Sequence, residues 1–256
     1  MKQFDIKFVH IALSLMVVLP VAVNAGDGGI KAPTGNNHWY VTGFIGSQKP
    51  DIATVRNVAN GLGLPRPYAF DQYSFSSKYA LLIGAEGGYL WANSRQFLPA
   101  YSLGLKYKYM FSQNIGGQIT QFSLPQFTNY DYSWQLYSQS ILASAKVNVF
   151  RWKRMMPYVS GGVGVALNTT NRYIELGRAN VTPRISPSFG NKTLTEFTYT
   201  LGVGLDWQPS VNTLLSVGYE YQDLRKLASD YGVGSWSSAS LRSRSFSSNG
   251  ILFTRL

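Results

Sequence analysis

Glu196-Phe197-Thr198-Tyr199-Thr200-Leu201-Gly202-Val203-Gly204-Leu205-Asp206-Trp207 separates cleanly into two faces when read at a period of two. Phe197, Tyr199, Leu201, Val203, Leu205 and Trp207 fall on one face, and Glu196, Thr198, Thr200, Gly202, Gly204 and Asp206 on the other. Successive side chains of a β-strand point to opposite sides of the sheet, so the stretch predicts a strand with one wholly apolar side. The second side, built of glycine, threonine and isolated carboxylates, is too small and too sparsely charged for the water-facing exterior of a soluble barrel. It suits the narrow interior of a small one, which turns the large side chains outward to lipid.

The same division recurs along the chain. Tyr101, Leu103, Leu105, Tyr107 and Tyr109 oppose Ser102, Gly104, Lys106 and Lys108; Tyr79, Leu81, Ile83, Ala85, Tyr89 and Trp91 oppose Gly84, Glu86 and Gly88. Ile141 to Val149, Val159 to Leu167 and Leu215 to Tyr221 alternate likewise. A first strand from Trp39 to Ser47, with Val41 and Ile45 outward, and a last one near Phe246 to Leu256 alternate less cleanly. Short connections fall at Asn93 to Phe97, Arg151 to Met156 and Gln208 to Ser210. Long ones fall at Gln48 to Ser77, Pro125 to Tyr132, Thr170 to Lys192 and Asp223 to Arg242. Short and long alternate only if residues 99–124 form one bent strand with a bulge at Ser112-Gln113-Asn114. A bacterial single-chain barrel needs an even strand number, with its short turns on the periplasmic side. The expectation is therefore an all-β, eight-stranded antiparallel up-and-down transmembrane β-barrel.

The chain opens with Lys2 and Lys7, an apolar run from Val9 to Val23, and Val23-Asn24-Ala25, the pattern of a cleaved signal peptide over residues 1–25. Residues 26–37 are expected to form a short flexible periplasmic segment and residues 38–256 the barrel. After residue 25 every apolar run is broken by charge, glycine or proline, which excludes a helical membrane protein. With no cysteine in an exported chain, stability must come from a large hydrogen-bonded architecture. Removal of Lys2, Lys7 and Asp5 with the leader leaves 21 basic against 11 acidic side chains. In an exported chain that excess points to anionic lipid headgroups or lipopolysaccharide phosphates, with no nucleic-acid partner.

Trp91, Trp152, Trp207 and Tyr158 lie beside the short turns and are expected to form an aromatic girdle at the membrane interface. Glu86, Lys106, Lys108, Lys146, Glu196, Asp206 and Glu220 fall on the inward faces, and a near balance of signs in a low-dielectric lumen predicts a network of ion pairs that plugs it. Arg172, Arg178 and Arg184 make one long loop basic and Arg225 and Lys226 another, candidates for contact with lipopolysaccharide or an acidic host surface.

The segment His38-Trp39-Tyr40-Val41-Thr42-Gly43-Phe44-Ile45-Gly46, the glycine-punctuated strands and Gly218-Tyr219-Glu220-Tyr221 resemble the small outer-membrane β-barrel families, the OmpA transmembrane domains and OmpX-like proteins. The resemblance implies an up-and-down barrel with periplasmic termini, placed in the bacterial outer membrane by the assembly machinery. These families usually end in an aromatic residue, whereas this chain ends Leu252-Phe253-Thr254-Arg255-Leu256.

A barrel enzyme that cleaves lipid or peptide relies on a histidine, whose pKa lets it act as a base near neutrality. Of the two histidines, His10 leaves with the leader and His38 falls at the periplasmic rim. No enzymatic activity, cofactor or metal site is expected. Function should then lie in envelope integrity or surface adhesion through the long loops, with a small ion-conducting pore as the alternative. A lipid A-modifying enzyme is the least favoured reading.

Overall fold

The computed structural model describes residues 37–52, 55–182, 184–210 and 213–250. The expected signal peptide, nearly all of the segment after it and the end of the last predicted strand lie outside the described residues. The strands are β1 (His38–Ile52), β2 (Val55–Ala59), β3 (Phe70–Ser74), β4 (Ser76–Ser77), β5 (Ala80–Ala92), β6 (Phe97–Thr120), β7 (Thr128–Phe150), β8 (Met155–Gly177), β9 (Lys192–Ser210), β10 (Thr213–Ala228) and β11 (Arg242–Gly250). Among the described residues the only helical turns are three short 3₁₀ segments.

Eight of these strands close on themselves. β1 pairs with β5, β5 with β6, β6 with β7, β7 with β8 and β8 with β9. β9 then pairs with β10, β10 with β11, and β11 returns to β1, every ladder antiparallel. Along the described ladders closure removes the free sheet edge, so the paired backbone groups ask nothing of the lipid. β6 is one long strand that ends at Thr120, short of the expected residue 124 because Gln121–Ser123 turn into a 3₁₀ segment; its pairing with β7 slips between Met110 and Gln113, and the bulge absorbs the bend.

The outward face is a belt of exposed apolar side chains. Val41, Leu103, Leu105, Ile141, Val163, Val165, Leu201, Val203, Val217 and Tyr219 all point away from the barrel. On β7 the belt runs from Ile141 to Val149 and gives way to Gln139, Tyr137 and Gln135, a span that fits the nine to eleven or so residues a tilted strand needs to cross the hydrocarbon core. Among the described residues no helix is long and apolar enough to cross a membrane. β6, with 24 residues, is about 80 Å long at roughly 3.3 Å per residue, far more than a belt about 25 Å tall requires. Its second half, past the bulge, therefore stands clear of the membrane. The strands accordingly run on through what reads as loop. β8 continues to Gly177, with Thr170 paired to Lys192; β7 begins at Thr128; β10 continues to Ala228 past a bulge at Asp223 and Arg225.

Interior glycines make room for rings. A Cβ on Gly204 or Gly218 would come within 2.5 or 2.2 Å of Tyr158, which fills the lumen at that level. Tyr158 is only 7% exposed, so it is a lumen residue and does not join the aromatic girdle. Strand parity dictates this: its neighbour Val159 faces lipid, so Tyr158 faces in. Trp152 and Trp207 are exposed beside the short turns, and Trp91 is half-buried, stacked on the exposed Tyr101 ring at 5.2 Å.

Candidate functional site

Two regions could carry function: the lumen and the folded loops above it. At the short-turn end of the lumen Asp206 is fully buried on β9. It accepts from Lys146 Nζ at 2.8 Å, Asn148 Nδ2 at 2.7 Å and Ser216 Oγ at 2.5 Å, while Lys146 lies 4.7 Å over the Tyr158 ring. Higher up, the Tyr40 hydroxyl donates to Glu86 at 2.6 Å, Glu86 pairs with Lys106 at 3.3 Å, and Lys106 also reaches Glu220 at 3.1 Å. Glu220 then holds Lys108 at 2.6 Å, and Lys108 donates onward to Gln222 at 2.7 Å. Gln222 Nε2 ends the chain on Ser140 and Thr198. A charge in this low-dielectric space is tolerable only because each has a partner in good geometry.

Between the two clusters a cavity of about 50 Å³, bordered by Thr42, Lys106, Lys146 and Tyr158, has room for a few water molecules. Above the Lys108 level Leu82, Met110, Leu136, Ile115 and Leu227 pack with Ile52 in an apolar cluster, beside the buried, hydrogen-bonded Ser138 and Asn168. Six of the seven inward charges thus pair with one another. Glu196 lies half-buried on the same inward face of β9, outside both clusters.

The loops above this cluster fold into a cap with a core of its own. The β2–β3 hairpin, which lies between β1 and β5 in sequence, lays Gln72 and Tyr73 against β6 where β5 has ended. Val58, Tyr73, Ile119, Tyr130, Tyr132, Trp134, Phe189, Trp236 and Leu241 then bury one another, drawing on every long connection. The rings meet edge to face, Tyr73 on Tyr132 at 5.3 Å and Tyr173 on Phe189 at 5.0 Å. Arg184 enters this core. Its guanidinium pairs with Asp71 at 2.5 Å and Glu175 at 3.2 Å and lies 4.9 Å over both the Tyr130 and Trp236 rings. Burial opposes its charge, but Glu175, Tyr73 and Asp71 outweigh that and raise its pKa further.

The five basic loop residues therefore do not converge on one surface. Arg184 is enclosed in the cap, where its two carboxylates leave no charge to offer outward. Arg178 pairs with Asp131 at 2.8 Å, and Arg225 lies 3.4 Å from Asp223. Arg172 and Lys226 remain exposed. Sequence reading missed the cap because its aromatics, Tyr73, Tyr130, Phe189 and Trp236, are scattered over four connections with no shared period. The density of rings in segments that read as loops was the one available signal.

No protein-family profile matches the sequence, and no curated protein matches it. The fold is similar to several solved structures. Neisserial surface protein A is 12% identical, with 86% of this chain and 98% of that one covered, at a TM-score of 0.47. OprG of Pseudomonas aeruginosa, an outer membrane protein, is 15% identical over 87% of this chain and 95% of that one, at 0.46. Ail, the attachment invasion locus protein of Yersinia pestis, is 13% identical over 86% and 99%, at 0.29. Its own closed ring of eight strands and outward apolar belt give the chain the fold of a small transmembrane β-barrel.

Proposed function

We propose that this chain is a non-conducting surface barrel, with a plugged lumen and a specific activity, in adhesion or envelope integrity, that resides in the cap. The observation that carries the reading is the double obstruction of the lumen. Lys108 and Glu220 fill its middle as a buried ion pair, and Leu82, Met110, Leu136 and Leu227 fill it above. A chain that blocks its own channel and then builds a second hydrophobic core outside the membrane has its distinctive surface on the cap. Of the five basic loop residues, Arg172 and Lys226 are exposed and left to meet lipopolysaccharide phosphates, and the cap's outer surface is the part a host ligand would meet. The pore reading draws on the small cavity between the charge clusters, which a re-pairing of Lys106 would have to join to the outside.

Planar-bilayer recording of the refolded barrel separates the two. A silent membrane from folded protein is expected. Steady openings whose selectivity shifts in Lys106→Gln would replace the surface-barrel reading with the pore. Cells carrying a barrel with residues 179–190 replaced by a short glycine-serine linker should lose attachment while keeping the protein in the membrane. Unchanged attachment would remove adhesion from the cap.

A further inference from the structure

The opposite, short-turn rim carries a surface that neither the lumen nor the cap explains. Residues 93–98, 150–155 and 208–212 contain Arg95, Arg151, Lys153 and Arg154 and no acidic residue. Asp206, which precedes the third turn, is buried in the lumen and occupied by Lys146. Elsewhere the rim and loop charges are mixed: Asp51, Asp71, Asp131, Glu175, Asp223 and Asp230 all belong to the long-loop half.

The three turns are knitted into one surface. Arg151 N–H donates to Gln96 O at 2.8 Å, joining the first turn to the second. Gln208 N–H donates to Arg154 O at 2.9 Å and the Arg154 guanidinium to Pro209 O at 3.2 Å, joining the second to the third. Trp152 and Met155 close the middle turn by a pair of backbone bonds, which projects Lys153 at its tip with a φ of +55°. Trp152, Met155 and Trp207 line a shallow groove beside Lys153 and Arg154. Exposed Phe97 and Leu98 extend the apolar surface toward Arg95. Arg151 Nε is buried at the junction with no acceptor among the described residues.

We infer that this rim is a binding site for the headgroups of anionic phospholipids in the periplasmic leaflet. Three features of one surface point to that occupant. The rim adjoins the apolar belt, so a lipid with its chains on Phe97, Trp207 and Met155 presents its phosphate at the level of Arg95, Lys153 and Arg154. Tryptophans mark the depth at which headgroups begin. Four cations without an acid leave a field that only an anion can neutralise, and such a field draws anionic lipid in preference to zwitterionic lipid of the same chain length. The inference is independent of whether the lumen conducts.

The test is native mass spectrometry of the detergent-refolded mature chain with equal amounts of phosphatidylglycerol and phosphatidylcholine of identical acyl chains. Retention of phosphatidylglycerol in preference is expected, weakening about five-fold for each of Arg95→Gln, Lys153→Gln and Arg154→Gln. Heat-modifiable gel mobility verifies that each variant is folded, and the single variants serve if the triple variant fails to fold. Arg172→Gln with Lys226→Gln, on the opposite rim, should leave the preference intact. Equal retention of the two lipids, or a preference that survives the triple variant or vanishes with the opposite-rim variant, would overturn the inference. So would loss of binding to phosphatidylglycerol alongside capture of an acidic periplasmic protein.

Discussion

The lumen and the cap solve the same electrostatic problem with opposite arrangements. In the lumen one carboxylate, Glu220, serves two lysines, Lys106 and Lys108. In the cap one guanidinium, Arg184, serves two carboxylates, Asp71 and Glu175. The difference lies in what holds the partners. Glu86, Lys106, Lys108 and Glu220 stand on β5, β6 and β10, fixed by ladders that persist whether or not the charges pair. Arg184 stands on a connection between β8 and β9, and its place depends on the aromatic core and on the charges themselves. Equal pairing should therefore fail differently: the lumen as a loss of barrel stability, the cap as a local opening.

The largest effect is expected at Glu220. Glu220→Ala leaves Lys108, 1% exposed, with the neutral Gln222 amide oxygen in place of a counter-charge, and an uncompensated buried charge costs about 3–5 kcal/mol. Denaturant unfolding in lipid vesicles should show the loss as a lowered midpoint. The double variant Glu220→Leu with Lys108→Met removes both charges and should recover most of it, because a buried pair replaced by apolar groups of similar size is often neutral. A double variant as unstable as the single one would show that Glu220 acts through shape or through Lys106, and the comparison with the cap would fall.

Arg184→Ala comes next. It strands Asp71 and Glu175, both nearly buried, yet the barrel ladders below do not depend on them. The unfolding midpoint should move by the equivalent of about 1–2 kcal/mol at most, while protease cleavage between residues 178 and 191 should accelerate at least ten-fold as the cap opens. Arg184→Lys should not rescue protection, since a lysine cannot pair in two directions while lying flat against two rings. Cleavage unchanged from the parent would mean the aromatic core alone holds the loop.

How much of this was legible follows from where regularity resides. Leu201, Val203 and Leu205 declare their facing because a lipid-facing strand repeats every second residue, and a bulge in β6 was legible because parity demanded one, although the slip lies between Met110 and Gln113, slightly before the expected Ser112 to Asn114. The inward facing of Lys106, Lys108 and Glu220 follows from the same period. Tyr158 was misplaced because proximity to a turn was weighed above the parity set by Val159, and Tyr40 and Phe44 blur the first strand because β1 carries aromatics on both faces. The cap was opaque for a different reason. Its core joins Tyr73, Tyr130, Phe189 and Trp236 across long separations, and the contacts exist only once the barrel has brought four connections to one mouth. A one-dimensional period carries no trace of them.

The smallest effect sharpens the comparison from outside both regions. Arg178 pairs bidentately with Asp131, its Nη2 and Nε donating to the two carboxylate oxygens at 2.8 and 3.2 Å, a geometry as good as that of Arg184. Both partners are solvent-exposed by more than a third, so water and salt screen the attraction. Arg178→Ala should leave the unfolding midpoint indistinguishable from the parent and cleavage between residues 178 and 191 near the parent rate. If cleavage instead rose as it does for Arg184→Ala, the Arg178 pair would be the hinge of the cap. The difference between the two arginines would then lie in their position along the connection and owe little to burial.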